Sequence, residues 1–425
     1  MALALLGTFF ILLFLNVPIA VSLGISAIVG LWYSGFSLDI LATIMYASIG
    51  KFSLLAIPFF ILAGIIMEKG GISSRLIRFA EVMVGRLPGG LTVVAVIAAC
   101  FFAAISGSGP ATVAALGVIL IPAMAQRGYD KGMASALLAS AGSIGIIIPP
   151  SVAFVIYATL AEVSVGEIFM AGIIPGLVMG ACLIVCSYFL IRNNKEIINS
   201  KSFSAKEKLL AFKDAFWGIM APVIILGGIY GGFFTPTEAA GVAVIWGLFV
   251  GVFIYKEIKI KELLKVLADS AVSTAVVMYV VACASVFAWL LTTSMLANDL
   301  TEGIMALTTS KVMLLLLMNA VFLIAGCFLD TISAYYILVP IMLPIALQLG
   351  LDPVHFGVFI TVNLAIGQFT PPVGVNLYVA CNIARLPVQA VVAKIIPYII
   401  ASIVALLIIT FIPEVSMWLP DTLFK

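Results

Sequence analysis

Asp330 is the only acidic residue set deep in a hairpin tip predicted from the apolar pattern, in the run Gly326-Cys327-Phe328-Leu329-Asp330-Thr331-Ile332-Ser333. A carboxylate in hydrocarbon is costly and is found paired or functional. Further along the chain, Thr370 and Asn376 flank a double proline, Pro371-Pro372. A double proline removes two amide donors and forces the preceding residue out of helix, so it leaves backbone carbonyls free. Carboxylate, hydroxyl, amide and carbonyl oxygens together form the hard donor set that suits sodium. A neutral version stands earlier, where Ser106, Ser108, Thr112 and Gly145 surround a polar tip and a second double proline, Pro149-Pro150. A plainer reading makes Asp330 the N-cap of the helix that follows it. Capping does not exclude ion binding.

The elements that must position these residues recur. Pro149-Pro150 matches Pro371-Pro372 at a spacing of 222, and Pro122, Gln126, Gly128, Asp130 and Gly145 match Pro344, Gln348, Gly350, Asp352 and Gly367 at the same spacing. Ile173-Ile174-Pro175 matches Ile395-Ile396-Pro397. Such a repeat in an apolar chain points to a secondary transporter built from two related halves. Hydrophobic residues make up 64% of the 425 residues and charged ones 9%, against about 25% charged in soluble domains. The fold class is therefore an all-α polytopic membrane protein with many runs near the ~20 residues that span a bilayer. The start, Met1 to Ala20, lacks a basic region and a small-residue cleavage site and is not read as a signal peptide.

Orientation follows from the basic residues. They cluster as Lys69, Arg75, Arg78 and Arg86; as Arg127 and Lys131; as Arg192, Lys195, Lys201, Lys206, Lys208 and Lys213; and as Lys256, Lys259, Lys261 and Lys265. The positive-inside rule places these, with Arg385, in the cytoplasm. Segments 162–167, 298–302 and 349–355 carry acids and no Lys or Arg, and fall outside. The predicted organisation is a first repeat over 1–191, a cytoplasmic linker over 192–213 and a second repeat over 214–425, of inverted orientation.

Each repeat should hold a hairpin and a broken crossing. The hairpins are predicted at 88–105 with 111–126, tip 106–110, and at 312–329 with 331–348, tip 326–333. Non-helical tips at membrane depth are tolerated only inside protein or against a water cavity. Two full crossings joined by a turn remain open for the first hairpin. The crossings 132–161 and 356–383 are expected to break at 145–151 and 367–376, with half-helix dipoles aimed at each break. Residues 2–35 are too long for one upright helix and contain Asn16-Val17-Pro18, so hairpins are expected at 2–35 and 215–255. Amphipathic arms are expected at 38–50 and 256–269, hinged by Gly and Pro.

Several classes are disfavoured. Net charge of +2 gives no argument for nucleic acid. The six cysteines lack zinc spacing and sit in apolar stretches, where they read as small packing residues. No Gly-rich phosphate loop with Lys-Ser or Lys-Thr is present. Asp330 has no second membrane carboxylate as an aspartyl-protease partner, and the single His355 lies in a predicted loop. The chain is read as no enzyme. A self-sufficient sodium/carboxylate symporter or ion antiporter remains an alternative.

The stretches SGSGPATVAA, GIIIPPS, TPTEAAGVAV, LDTISA and TPPVGVNLYVA resemble the large membrane subunit of TRAP (tripartite ATP-independent periplasmic) transporters, over nearly the whole chain. The resemblance implies sodium-driven uptake of an organic acid across the bacterial inner membrane by an elevator mechanism. It implies two partners, a small four-helix membrane subunit and a soluble periplasmic substrate-binding protein; without extra amino-terminal helices, the small subunit is expected as a separate polypeptide. Carried over by motif, one sodium site would use Ser106, Ser108 and Gly145, and the other Gly326, Asp330, Thr331, Thr370 and Gly374. The substrate, a sialic acid or a C4-dicarboxylate, would lie between them, against Gly109, Thr112, Ser151, Ser333, Pro372 and Asn376. No buried arginine is evident to hold its carboxylate, so hydroxyls, helix amino-termini and bound sodium are expected to replace one.

Overall fold

The computed structural model describes residues 1–85, 89–192, 203–308 and 310–423. Arg86, Lys195 and Lys201 of the basic clusters, and much of the expected 192–213 linker, lie outside them. The described residues are helical throughout, and nine helices among them are long and apolar enough to cross a membrane. The protein is a multi-pass membrane protein.

The chain opens with α1 (Ala2–Phe14) and α2 (Ile19–Tyr33), which pack on each other as a hairpin, followed by α3 (Asp39–Ile49), a short 3-10 turn (Phe52–Leu55), α4 (Ala56–Lys69) and α5 (Ile72–Val84). Then come α6 (Gly90–Ser106), α7 (Gly109–Gln126), α8 (Lys131–Gly142), α9 (Val152–Ala161) and α10 (Val165–Ile191). The second half runs through α11 (Ala205–Tyr230), α12 (Pro236–Leu248), α13 (Ile260–Thr293), α14 (Leu296–Leu307), α15 (Lys311–Phe328), α16 (Thr331–Gln348), α17 (Pro353–Gly367), α18 (Val375–Ala384) and α19 (Gln389–Phe411), and ends in α20 (Glu414–Leu423). From α6 to α10 and from α15 to α19 the boundaries recur near the 222-residue spacing, and α7 and α16 match it at both ends.

Several expectations need correction. The stretch 256–269 is no separate hinged arm, because α13 runs unbroken from Ile260 to Thr293. In the first half, Gly50 and Pro58 interrupt the corresponding path, and α3, the 3-10 turn and α4 follow one another as separate pieces. The whole of α13 contains neither Gly nor Pro, so no residue in it loosens the backbone or removes a donor. The first hairpin tip is also shorter than 106–110. Only Gly107 and Ser108 leave the helix; Gly109 and Pro110 already form the first turn of α7, where the missing proline N–H has no intrahelical partner to lose. The second tip is likewise shorter than 326–333, with only Leu329 and Asp330 between α15 and α16. In addition α11 begins at Ala205, within 192–213, where Ser204 and Glu207 form a reciprocal capping box.

Packing interleaves the halves. The second arm of each hairpin and the first part of each broken crossing contact the other half's broken crossing: α18 lies on α7 and α8, and α9 lies on α16 and α17. Tyr157 of α9 donates to Pro353 O at 2.5 Å and meets the Tyr335 ring edge-on at 5.8 Å. This brings the acidic segments near 162 and 352 to one end. Ion pairs gather the basic clusters: Lys69 with Asp269 at 2.6 Å, Arg75 with Glu257 at 3.1 Å, and Arg127 with Glu81 at 2.7 Å.

Candidate transport site

The first tip is built from neutral groups. Gly107 ends α6 with φ of +60°, the left-handed region that favours glycine. The turn that follows closes a ring of hydrogen bonds. Ser108 N donates to Ser106 Oγ at 3.4 Å, Ser106 Oγ and Thr112 Oγ1 lie 2.9 Å apart, and Thr112 Oγ1 donates to Ser108 O at 2.8 Å. Ser106 and Thr112 are buried. The tip sits on the break of its own half. A Cβ at Gly145 would come 2.6 Å from Thr112 Oγ1 and 2.7 Å from Ser108 O, and one at Gly107 would come 2.6 Å from Pro150 O. Ser106, Ser108, Thr112 and Gly145 are therefore together. The tip thus meets the middle of the α8–α9 path rather than its end.

At that break α8 stops at Gly142, a 3-10 turn covers Ser143–Ile146, and α9 starts after Ser151. Ser151 Oγ donates to Ile146 O at 2.7 Å and accepts from Phe154 N at 3.4 Å, so it satisfies both ends of the break.

The second tip carries the charge. Asp330 accepts from Ile332 N at 3.0 Å, Ser333 N at 3.1 Å and Ser333 Oγ at 2.5 Å. It is the N-cap of α16, and Ser333 serves it from behind. This tip also rests on its own break: a Cβ at Gly367 would lie 2.4–2.5 Å from the backbone of Gly326, and Val373 N donates to Cys327 O at 3.2 Å. Thr370 Oγ1 donates to Ile366 O at 2.7 Å, and Gly374, with φ of +39°, lies over Thr370 O. Gln368 Nε2 donates to Thr331 Oγ1 at 3.2 Å.

The two halves meet at Gly109. A Cβ there would come 2.1 Å from Gln368 Oε1 and 3.1 Å from Asn376 Oδ1. Both amide oxygens are buried and have no hydrogen-bond partner, while Asn376 Nδ2 donates to Ala139 O at 3.3 Å. Buried oxygens left this way call for a cation, a water or a ligand donor.

A cavity of ≈ 290 Å³ opens between the tips. Ser106 and Ser108 line it from the first, Asp330 and Thr331 from the second, with Gln368 and Glu68 completing the polar wall. Of the other expected residues, Thr112, Ser151, Ser333 and Asn376 are buried behind this lining, and Pro372 is exposed away from it. Sequence reasoning missed Gln368 and Glu68. Gln368 was open to detection as a polar residue inside the second break. Glu68 gave no such signal, because it adjoins Lys69 and reads as part of a solvated charge cluster. Among the described residues no group of three or more His, Cys, Asp or Glu could hold a metal ion. The donors here are hydroxyls, carbonyls, amides and the two carboxylates of Asp330 and Glu68, an all-oxygen set suited to sodium.

Comparison with known proteins agrees with this architecture. The profile of the family described as "Tripartite ATP-independent periplasmic transporter, DctM component" matches residues 6–415. The chain is 43% identical over 403 residues to the "C4-dicarboxylate TRAP transporter large permease protein DctM" of Pseudomonas aeruginosa, covering 95% of this chain and 94% of that one. It is 35% identical over 411 residues to the "Sialic acid TRAP transporter large permease protein SiaM" of Vibrio cholerae, covering 96% of each. It is also 42% identical over 415 residues to the "Isethionate TRAP transporter permease protein DctMQ" of Oleidesulfovibrio alaskensis, covering 97% of this chain but 65% of that protein's length. These relatives are named as transporter permeases, not enzymes. Among solved structures the YdaH transporter of Alcanivorax borkumensis superposes with a TM-score of 0.66 at 16% identity, covering 90% of this chain and 88% of that one, a likeness of fold alone.

Proposed function

The chain belongs to the DctM-component family of tripartite ATP-independent periplasmic transporters, and from that membership we propose that it carries an organic acid into the cell across the bacterial inner membrane, driven by sodium. The observation that carries this reading is the convergence of two hairpin tips and two helix breaks on one cavity whose polar wall is hydroxyl, amide and carboxylate.

Sodium would be held at the first tip by Ser106, Ser108 and Gly145, and at the second by Gly326, Asp330, Thr331, Thr370 and Gly374. The hard oxygens of those segments fit it. Bound cations would offset the carboxylate of Asp330 and leave the amino ends of α7 and α9 to receive an anionic substrate. The hairpins and broken crossings would move as one body against α4, α12 and α13, in an elevator exchange between the two sides. The halves would be related by inverted topology. Sialic acid and C4-dicarboxylates are the candidate cargoes, after the printed names of the relatives. A small four-helix membrane subunit and a periplasmic substrate-binding protein would complete the system.

The test is uptake of labelled sialic acid and of labelled succinate into proteoliposomes holding this chain and its small subunit, under an inward sodium gradient, with and without the binding protein. Uptake of either acid that needs both sodium and the binding protein is the expected result. Sodium-dependent uptake that ignores the binding protein would replace this reading with a conventional symporter, and uptake that ignores sodium would remove the coupling ion.

A further inference from the structure

The charges around the cavity are unequal. Asp330 reaches it from the second tip and Glu68 from α4, and among its lining residues there is no Lys, Arg or His. Glu68 lies on one face of α4 with Ile61, Gly64 and Ile65, at helical spacing, and that face looks into the cavity. The adjacent base, Lys69, is engaged elsewhere, on Asp269 at 2.6 Å. Glu68 is therefore a second carboxylate on the cavity wall, and it comes from outside the hairpins and broken crossings.

The positive ends are unequal too. The amino end of α16 already holds a carboxylate, that of Asp330. The amino ends of α7 and α9 also reach the cavity, through Pro110, Ala111, Val152 and Ala153, and bear no acid. Beside them stand the hydroxyls of the first tip. The cavity thus has one seat suited to an anion, with acidic walls around the rest.

We propose that the substrate is an organic monoanion whose uncharged remainder donates hydrogen bonds, a polyhydroxylated monocarboxylate, and that Glu68 is the specificity-determining residue that turns away dianions. The inference rests on the cavity being the substrate site, as proposed above. The single carboxylate sits at the ends of α7 and α9. Substrate hydroxyls donate to Glu68. With sodium offsetting Asp330, a second carboxylate in that position would still face Glu68, with no base among the lining residues to pair with, and repulsion built into a site selects against the wrong ligand as effectively as attraction selects the right one.

The test uses the full-length chain in nanodiscs with saturating sodium and measures Kd for two matched pairs, gluconate against glucarate and threonate against tartrate. Each pair differs only in whether one end is a hydroxymethyl or a carboxylate. In wild type the monoanion of each pair should bind roughly tenfold or more tighter than the dianion. Glu68→Gln should bring the pair within about threefold, mainly by strengthening the dianion, and Glu68→Lys should reverse the order. Glu68→Asn gives a second neutral variant should Glu68→Gln fail to fold. Sodium-dependent binding that favours the dianions in wild type overturns this inference and leaves the transport reading standing. So does a ratio that neither neutral variant moves while melting like wild type. No binding of any of the four acids in a protein that binds sialic acid or succinate overturns this inference and leaves the transport reading standing, and no binding of those two either takes both readings with it.

Discussion

At the first tip the Ser106 and Thr112 hydroxyls close a ring with the Ser108 backbone, and at the nearby break Ser151 bonds the Ile146 carbonyl. At the second tip a carboxylate takes over the capping, and at its break Gln368 Oε1 and Asn376 Oδ1 are left without partners. Both tips rest on their breaks through glycine, at Gly145 and Gly367, positions 222 residues apart. Geometry is thus shared between the halves and electrostatics is not. At its tip and break the first half leaves no buried side-chain oxygen without a partner; the second is a net acceptor that a bound cation would complete. If so, the second half should dominate the sodium dependence.

Asp330→Ala is the strongest way to break that comparison. It removes the charge and the N-cap together. Sodium-dependent uptake in proteoliposomes should fall by about a hundredfold, the upper range for loss of a group that supports a metal site. Loss of the cap alone should cost only about 1 kcal/mol, so the protein should still fold. Asp330→Asn keeps an acceptor for Ile332 and Ser333 and should be as inactive. Wild-type rates in either variant would remove Asp330 from the ion site and make the two tips equivalent.

The glycines sharpen the comparison from the geometric side. At Gly367 an added methyl meets the backbone of Gly326, which has no side chain to turn aside. At Gly145 it meets Thr112 Oγ1 and Ser108 O, of which the first can rotate. Gly367→Ala should therefore destabilise more than Gly145→Ala, within the roughly 1–3 kcal/mol typical of overpacking. Thermal unfolding in detergent checks the order, and a larger loss at Gly145 would contradict it. Thr112→Val opens the neutral ring and leaves Ser106 with one partner fewer. It should cost about 1 kcal/mol, the scale of one buried hydrogen bond, and should lower sodium affinity far less than Asp330→Ala. An equal loss of sodium affinity would mean that the first tip is no mere structural counterpart.

The tips and breaks were legible in the chain because Gly, Pro and Ser punctuate helices locally, and the punctuation recurs at a fixed spacing. Asp330 was legible because one acid in a long apolar run is conspicuous, and its capping role followed from its place before Thr331. The unbroken α13 was misread. Symmetry with the first half suggested a hinge there, although the stretch from Ile260 to Thr293 holds neither Gly nor Pro. Glu68 was not legible. The cavity it lines is assembled from residues near 68, 106, 152, 273, 330 and 368, and no local pattern encodes a wall drawn from six segments.

The smallest expected effect lies at the ends of the repeat, where Asp130 and Asp352 cap α8 and α17 at equivalent positions. Asp130 accepts from Met133 N at 2.7 Å and also carries Lys394 of α19. Partial burial acts to raise its pKa, but hydrogen bonds from Lys394 and Met133 together outweigh it and hold the carboxyl below its ordinary value of 3.8. A carboxyl with a depressed folded pKa stabilises the protein above its unfolded pKa, and that contribution is lost as pH falls through the folded value. The pair is largely exposed, so it should be worth under about 1 kcal/mol at low salt and less in high salt. Lys394→Met should lower the melting temperature slightly at neutral pH, and the difference from wild type should shrink as pH falls below about 4. A difference that persists unchanged into acid would assign the loss to packing of the lysine stem and not to the ion pair.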